Sequence, residues 1–345
     1  MTENKTKSGN IVRHRSIFCC TDEQLLWLRT AKCVKIDGTF KIAGEPFYQL
    51  VSIHRLVHFG HCSKSVPIGY IIMSGKTQAD YTDIFQEIKN LVEEENGLVW
   101  NLEAAMLDFE IGLRNALKAV FAGIHLQGCW FHYCQAIWRK VHNLKLDGDY
   151  PHKAHAGKYP KRLMALALIN ANDNMIQQLF EYTKDRYAAE DRPLLTPDVQ
   201  NAFDKLFDYV AKQWIYNPKI PTSELSVFDT PVRTNNEVEN WNGLLWNRAK
   251  KPKPFYDLLR LHRDIYEETA QQCRSTLKDT KKAAQLAIDR NIQETWDQMK
   301  TKAISPKEAL LALCKKTEEH NVIQCNMDML LYTCSDIDEI DEFDE

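Results

Sequence analysis

The chain has 345 residues, 44% of them hydrophobic and 26% charged, enough to bury a large core in one elaborated domain or in two. Its net charge of −3 argues at first against a nucleic-acid partner, but the tail from Ser335 carries seven acids and no base, and without it the balance is +4. No apolar run approaches the roughly 18 residues of a membrane span, and the opening MTENKTKSGNIVRHRS lacks the apolar stretch of a secretory signal. Ten cysteines occur without a C-x-x-C pair, which fits reduced thiols rather than a disulfide framework. An intracellular protein is expected, with residues 335–345 a disordered acidic tail that is either solvated or a short interaction motif.

Residues 1–24 read as a polar lead-in, with a short helix from Asp22 to Arg29. Three strands are predicted next, over 32–40, 48–57 and 66–73, with Gly44, Pro46 and Gly60 in the turns of an antiparallel meander. Thr77 and Asp80 resemble a capping box, opening a helix with Tyr81, Ile84, Phe85, Ile88 and Leu91 at helical spacing. A strand over 104–108, a helix near 111–121, a strand over 124–128 and a helix from Phe131 complete the pattern of a mixed, helix-covered α/β sheet. From about Leu144 to Asp229 the strand signals stop, and Val199, Phe203, Leu206, Phe207, Val210 and Trp214 mark the core face of a helix. Helices resume from Asn235. The expected division is a first α/β part over 25–143, a helical insertion over 144–229, a return over 230–270 and C-terminal helices over 271–334.

Three acids far apart in sequence carry the functional reading: Asp37 in KIDGTF, Asp108 in AAMLDFE and Glu239 in TNNEVENWN. The first two each follow a short apolar run, so a buried strand would deliver each to the rim of a sheet, and Glu239 lies where a helix begins. Carboxylates gathered together repel unless a cation lies between them, and oxygen ligands suit Mg²⁺ or Mn²⁺, two of which make a phosphoryl-transfer site. Local sequence leaves alternatives open: Asp37 as a turn residue before Gly38, and Asp108 as a helix N-cap.

Cys129 and His132, followed by Cys134 and His142, have zinc-like spacing, but no second clear pair appears, and ordinary helix packing explains them. Zinc is not expected there, nor a Cys-His hydrolase without an orienting partner. His54, His58, His61 and Cys62 read as a polar turn between strands. Arg248, Lys250, Lys251 and Lys253 form a basic patch that is solvated surface, a phosphate contact or a nuclear localisation signal. Trp241 and Trp246 read as core anchors.

The order DGTF, VPIGYIIMSGKTQADY, LDFE with Ala116, CWFH with Gln135 and Arg139, then RTNNEVENW resembles the MULE transposase domain of Mutator-like DNA transposases, over about 32–246. The resemblance implies an RNase H-like fold with catalytic, metal-binding Asp37, Asp108 and Glu239, two Mg²⁺ or Mn²⁺ ions, and cleavage and joining of DNA. Glu239, rather than Glu237, matches the spacing of the N-N-x-x-E pattern. Cys129 and His132 would lie near the site, with His132, Asn235, Asn236, Arg248, Lys250 and Lys251 as candidates for near-site or DNA contacts. The implied partners are transposon ends and target DNA, with a homo-oligomer at synapsis, no membrane and no small-molecule substrate, in the nucleus. Two departures stand out: Asn242 occupies a position where many members carry histidine, and a zinc-containing DNA-binding module that usually precedes the domain is not read in the lead-in. The rival expectation is a domesticated or truncated transposase-derived nuclear protein that binds DNA or protein without catalysis.

Overall fold

A computed structural model describes residues 2–5, 11–40, 42–59, 62–94, 97, 99–146, 157–230, 232–275 and 283–318. The acidic tail and the side chains of His58, His61 and Cys62 lie outside the described part. The described residues of Met1–His132 and Val232–Thr280 form one compact unit, and those of Tyr133–Pro231 and Lys281–Glu345 a second.

In the first unit, β1 (Thr2–Lys5) and β2 (Ile11–His14) form an antiparallel ribbon. The main sheet has six strands: β3 (Ser16–Cys19), β4 (Cys33–Phe40), β5 (Gln49–Phe59), β6 (Cys62–Met73), β7 (Ala104–Leu107) and β8 (His125–Gly128). Their order is β3-β6-β5-β4-β7-β8, with β4, β5 and β6 an antiparallel meander and β7 and β8 parallel to β4. Helices α1 (Asp22–Arg29), α2 (Gln78–Glu94) and α3 (Ile111–Val120) join these strands, and α4 (Trp130–Asn143) follows β8. The chain is thus α/β with a mixed sheet, as the strand-and-helix pattern predicts. The lead-in departs from expectation: β1, β2 and β3 lie within it, and β3 pairs with β6 at the sheet edge.

Alternation along β4 sorts its side chains onto two faces. Val34 and Ile36 join the core that includes Leu28 of α1, Phe85 of α2 and Leu117 of α3. Lys35 and Asp37 point to the opposite face, where the helix Asn236–Ala249 packs through Trp241 and Leu245. His54 pairs with Lys35 across the β4–β5 ladder and is buried with its ring against Trp241, so it belongs to a strand interior rather than the expected turn. His54 falls within the strand predicted over 48–57, and its ring is hidden by a helix distant in sequence. Trp241 is a core anchor, whereas Trp246 stays 39% exposed, contrary to expectation.

The Thr77 cap forms as read: Thr77 N–H donates to Asp80 Oδ2 at 2.9 Å, and Asp80 N–H donates back to Thr77 Oγ1 at 3.3 Å. His14 Nδ1 lies 2.9 Å from the same Asp80 oxygen. Gly75 is required beside it, because a Cβ there would sit 2.2 Å from His14 Nδ1 and 2.6 Å from Asp80 Oδ2.

The second unit is helical among its described residues. All six predicted core positions from Val199 to Trp214 are buried. Tyr159, Phe180, Tyr187, Phe203 and Phe207 form an aromatic cluster at ring-centroid spacings of 5.2–6.2 Å. Trp296 is buried and donates its indole N–H to the Leu168 carbonyl at 2.8 Å.

Candidate metal centre

Strand register brings the first two acids together. β4 and β7 pair as Cys33 with Ala104, Val34 with Ala105 and Lys35 with Met106, and continuing that register sets Asp37 level with Asp108. Adjacent strands lie about 4.8 Å apart, so the two acids have little room to avoid each other. Asp37 lies inside β4, which matches the strand predicted over 32–40, and it pairs with Ser52 of β5. It is the neighbour, β7, that ends at Leu107 and opens the site at Asp108.

Three bonds tie the start of the Asn236–Ala249 helix to this edge. Asn235 Nδ2–H donates to the Ile36 carbonyl at 3.1 Å, Asn235 N–H points to Cys129 Sγ at 3.2 Å, and Trp130 N–H donates to the Arg233 carbonyl at 3.0 Å. A fourth tie is the ion pair of buried Lys35 with Glu237, 2.5 Å between Nζ and Oε2. Glu239 is thereby set beside His132, whose Nε2 is 3.5 Å from Glu239 Oε1. The other ring nitrogen, Nδ1, is 2.7 Å from Asp108 Oδ1. His132 therefore sits between two of the acids, while Glu237, the competitor by sequence, is occupied with Lys35.

Ligand atoms of Asp37, Asp108 and His132 lie within 4.8 Å of one another, as do those of Cys129, His132 and Glu239. Asp37 forms the floor at 6% exposure. The side chains of Asp108, His132 and Glu239 keep 34%, 23% and 25% of their surface and make an open rim.

Electrostatics mark the place as short of positive charge. Burial pushes the Asp37 carboxyl well above its usual range, the Asp108 and Glu239 charges push it further, and His132 and an Asn242 hydrogen bond pull only part of it back. Glu239 is pushed up to about 7 by burial, with Asp108 and Glu237 adding to the shift against His132. Burial alone would lower His132, but Asp108 and Cys129 outweigh it and hold the imidazolium well above its ordinary value. Burial raises the Cys129 thiol, with His132 opposing. Glu110, which the sequence reading did not single out, is also pushed up to about 7 by burial, with Asp108 adding to the shift. Its position two residues after Asp108 was the only sequence signal for it.

The site fits a divalent cation. Asp108 Oδ1 and Glu239 Oε1 are buried oxygens without a hydrogen-bond partner, their approaches to His132 being charge contacts outside hydrogen-bonding geometry. Asp37 and Asp108 with His132, and Glu239 with His132 and Cys129, are two sets of ligand atoms that could hold such an ion. Cys129 and His132 have Glu239 as a third ligand atom within 4.8 Å, a set that could itself hold a metal ion.

The remaining candidates divide. Asn235 is fully buried in the ties above, and Asn236 Oδ1 is buried without a hydrogen-bond partner. Arg248 makes a two-pronged contact with Glu268, at 2.9 and 2.6 Å, which takes up its charge. Lys250 and Lys251 are exposed. Asn242, read only as a departure from a family pattern, donates Nδ2–H to Asp37 Oδ2 at 2.7 Å.

No curated protein matches the chain. Residues 33–136, the segment that carries Asp37, Asp108, Cys129 and His132, match the family model of the MULE transposase domain.

Proposed function

We propose that this chain carries a Mutator-like DDE transposase domain that cleaves and joins DNA strands with Mg²⁺ or Mn²⁺ at Asp37, Asp108 and Glu239. The observation that carries the reading is the β4–β7 register, which sets Asp37 level with Asp108 at the sheet edge to which the Asn235 ties bring Glu239. The strand order supports an RNase H-like core: three antiparallel strands followed by two parallel ones. In that reading the core comprises residues 25–143 and 230–270, with 144–229 a helical insertion.

Two bound cations would lower the pKa of an attacking water or 3′-hydroxyl and stabilise the leaving oxygen of the phosphodiester. The protein's own part is to hold the acids: Asp37 as the buried, immobile ligand, and Asp108 and Glu239 as partly exposed ligands that meet the substrate side. His132, between Asp108 and Glu239, orients both. In this reading Lys250 and Lys251, exposed just beyond the helix that carries Glu239, would meet DNA phosphates. Action on DNA implies a nuclear protein, and two ends brought together imply a homo-oligomer.

One observation favours the rival, non-catalytic reading. His132 lies 2.7 Å from Asp108 and 3.5 Å from Glu239, so a protonated imidazole there would neutralise part of the acidic cluster without a metal. Nicking of supercoiled plasmid in Mn²⁺ separates the two. The proposed function predicts nicking by the wild type that is lost in Asp37→Asn and Asp108→Asn. Equal nicking by all three, or none by the wild type, contradicts it.

A further inference from the structure

Asn242 sits at the floor of the site, 7% exposed, with both ends of its amide engaged. Its Nδ2–H donates to Asp37 Oδ2 at 2.7 Å, and its Oδ1 accepts from the Ser52 hydroxyl at 3.1 Å. Ser52 is itself the β5 residue that pairs with Asp37 in the ladder. The orientation of the amide follows from chemistry: a flipped Asn242 would set its carbonyl oxygen against the Asp37 carboxylate, acceptor to acceptor, and point its NH₂ at the serine. The chain Ser52–Asn242–Asp37 is therefore directional, and it is built from three buried side chains on two strands and a helix.

We propose that Asn242, locked by Ser52, is a positioning residue that holds one oxygen of Asp37 and leaves the other for a cation. The role rests on the metal-site reading above and extends it. Asp37 is 6% exposed with ligand atoms of Asp108 and His132 within 4.8 Å, so an unheld carboxylate there is free to rotate about its side chain and to turn toward His132. A fixed donor on one oxygen opposes both. Such control matters in a site of this kind because a ligand displaced by about 0.5 Å no longer meets the productive geometry. Asn242 does not itself touch a reacting atom.

The test uses the full chain and Mn²⁺ alone, with affinity read from the Mn²⁺ dependence of thermal unfolding. Asn242→Ala is expected to weaken Mn²⁺ binding about tenfold, and Ser52→Ala, which frees the amide without removing it, about threefold. Asn242→His, which keeps an N–H donor, is expected to recover most of the loss. A second readout needs no metal: one Asn242 side-chain amide proton of the wild type should be shifted downfield and protected from exchange, and Asp37→Ala should abolish this. Equal Mn²⁺ affinity in wild type and folded Asn242→Ala, or an amide proton that exchanges freely, overturns the positioning role alone. A wild type that binds no Mn²⁺ overturns the proposed function and this role together.

Discussion

Two buried aspartates, one in each compact unit, make opposite use of burial. Asp191 in the helical unit is 3% exposed, and it meets the Lys158 ammonium at 2.7 Å and accepts from the Tyr159 hydroxyl. Asp37 in the sheet unit is 6% exposed, but its charged neighbours include Asp108 and Glu239. A carboxylate given a cation and a phenol is a structural joint, since its desolvation is offset where it sits. A carboxylate given other carboxylates, with His132 and the Asn242 amide pulling back only part of the shift, is offset incompletely. Asp80, fully buried against His14 and the Thr77 cap, belongs with Asp191. The comparison thus separates acids that hold the fold from acids that the fold holds.

The sharpest way to break this contrast is catalysis. Asp108→Asn should reduce Mn²⁺-dependent DNA nicking on the order of 10²–10³-fold or more, as loss of a preorganised charge at a phosphoryl-transfer site does. Asp191→Asn, measured on folded protein, should leave nicking unchanged.

Next in size is the Lys35–Glu237 pair. Glu237→Gln strands a buried ammonium and should cost about 3 kcal/mol in chemical denaturation, whereas Lys35→Met leaves a half-exposed carboxylate that water can solvate and should cost less. Folded Glu237→Gln should still bind Mn²⁺, which separates Glu237 from Glu239.

Stability without metal should then diverge between the two aspartates. Asp191→Asn should lose about 2 kcal/mol, while Asp37→Asn should gain about 1 kcal/mol by relieving repulsion. A destabilised Asp37→Asn, compared by denaturant midpoint at neutral pH, would erase the distinction.

The most gradual effect is in pH. Glu239 has a folded-state pKa of about 7 against an ordinary 4.5, so between those values the folded chain binds more protons than the unfolded one. Metal-free stability should fall as pH rises from about 4.5 to about 7, by no more than ~1.4 kcal/mol per pH unit from this group. Glu239→Gln should flatten the curve in that window, read from denaturant midpoints at a series of pH values.

The sheet and its acids were legible because their signals are local. The alternation of β4, the Thr77–Asp80 cap and the apolar run before Asp108 each fix a short element without reference to the rest of the chain. The level placement of Asp37 and Asp108 could not be read locally, because register is set by pairing between positions 71 apart in the chain. His54 and Asn242 were misread or passed over for the same reason: their partners, Trp241 and Asp37, are contributed by elements about 200 positions away. β3 went unseen because four half-buried residues at a sheet edge carry almost no pattern. Lys35 looked like any strand lysine, and only the helix carrying Glu237 makes it a buried ion pair.

The central claim is that Asp37, Asp108 and Glu239 bind divalent cations together, and anomalous scattering from Mn²⁺-soaked crystals tests it most directly. The account predicts one or two manganese peaks with oxygens of all three acids about 2.0–2.4 Å away, and loss of the peaks in Asp108→Asn. Crystals that take up Mn²⁺ elsewhere while His132 remains between Asp108 and Glu239 would contradict it.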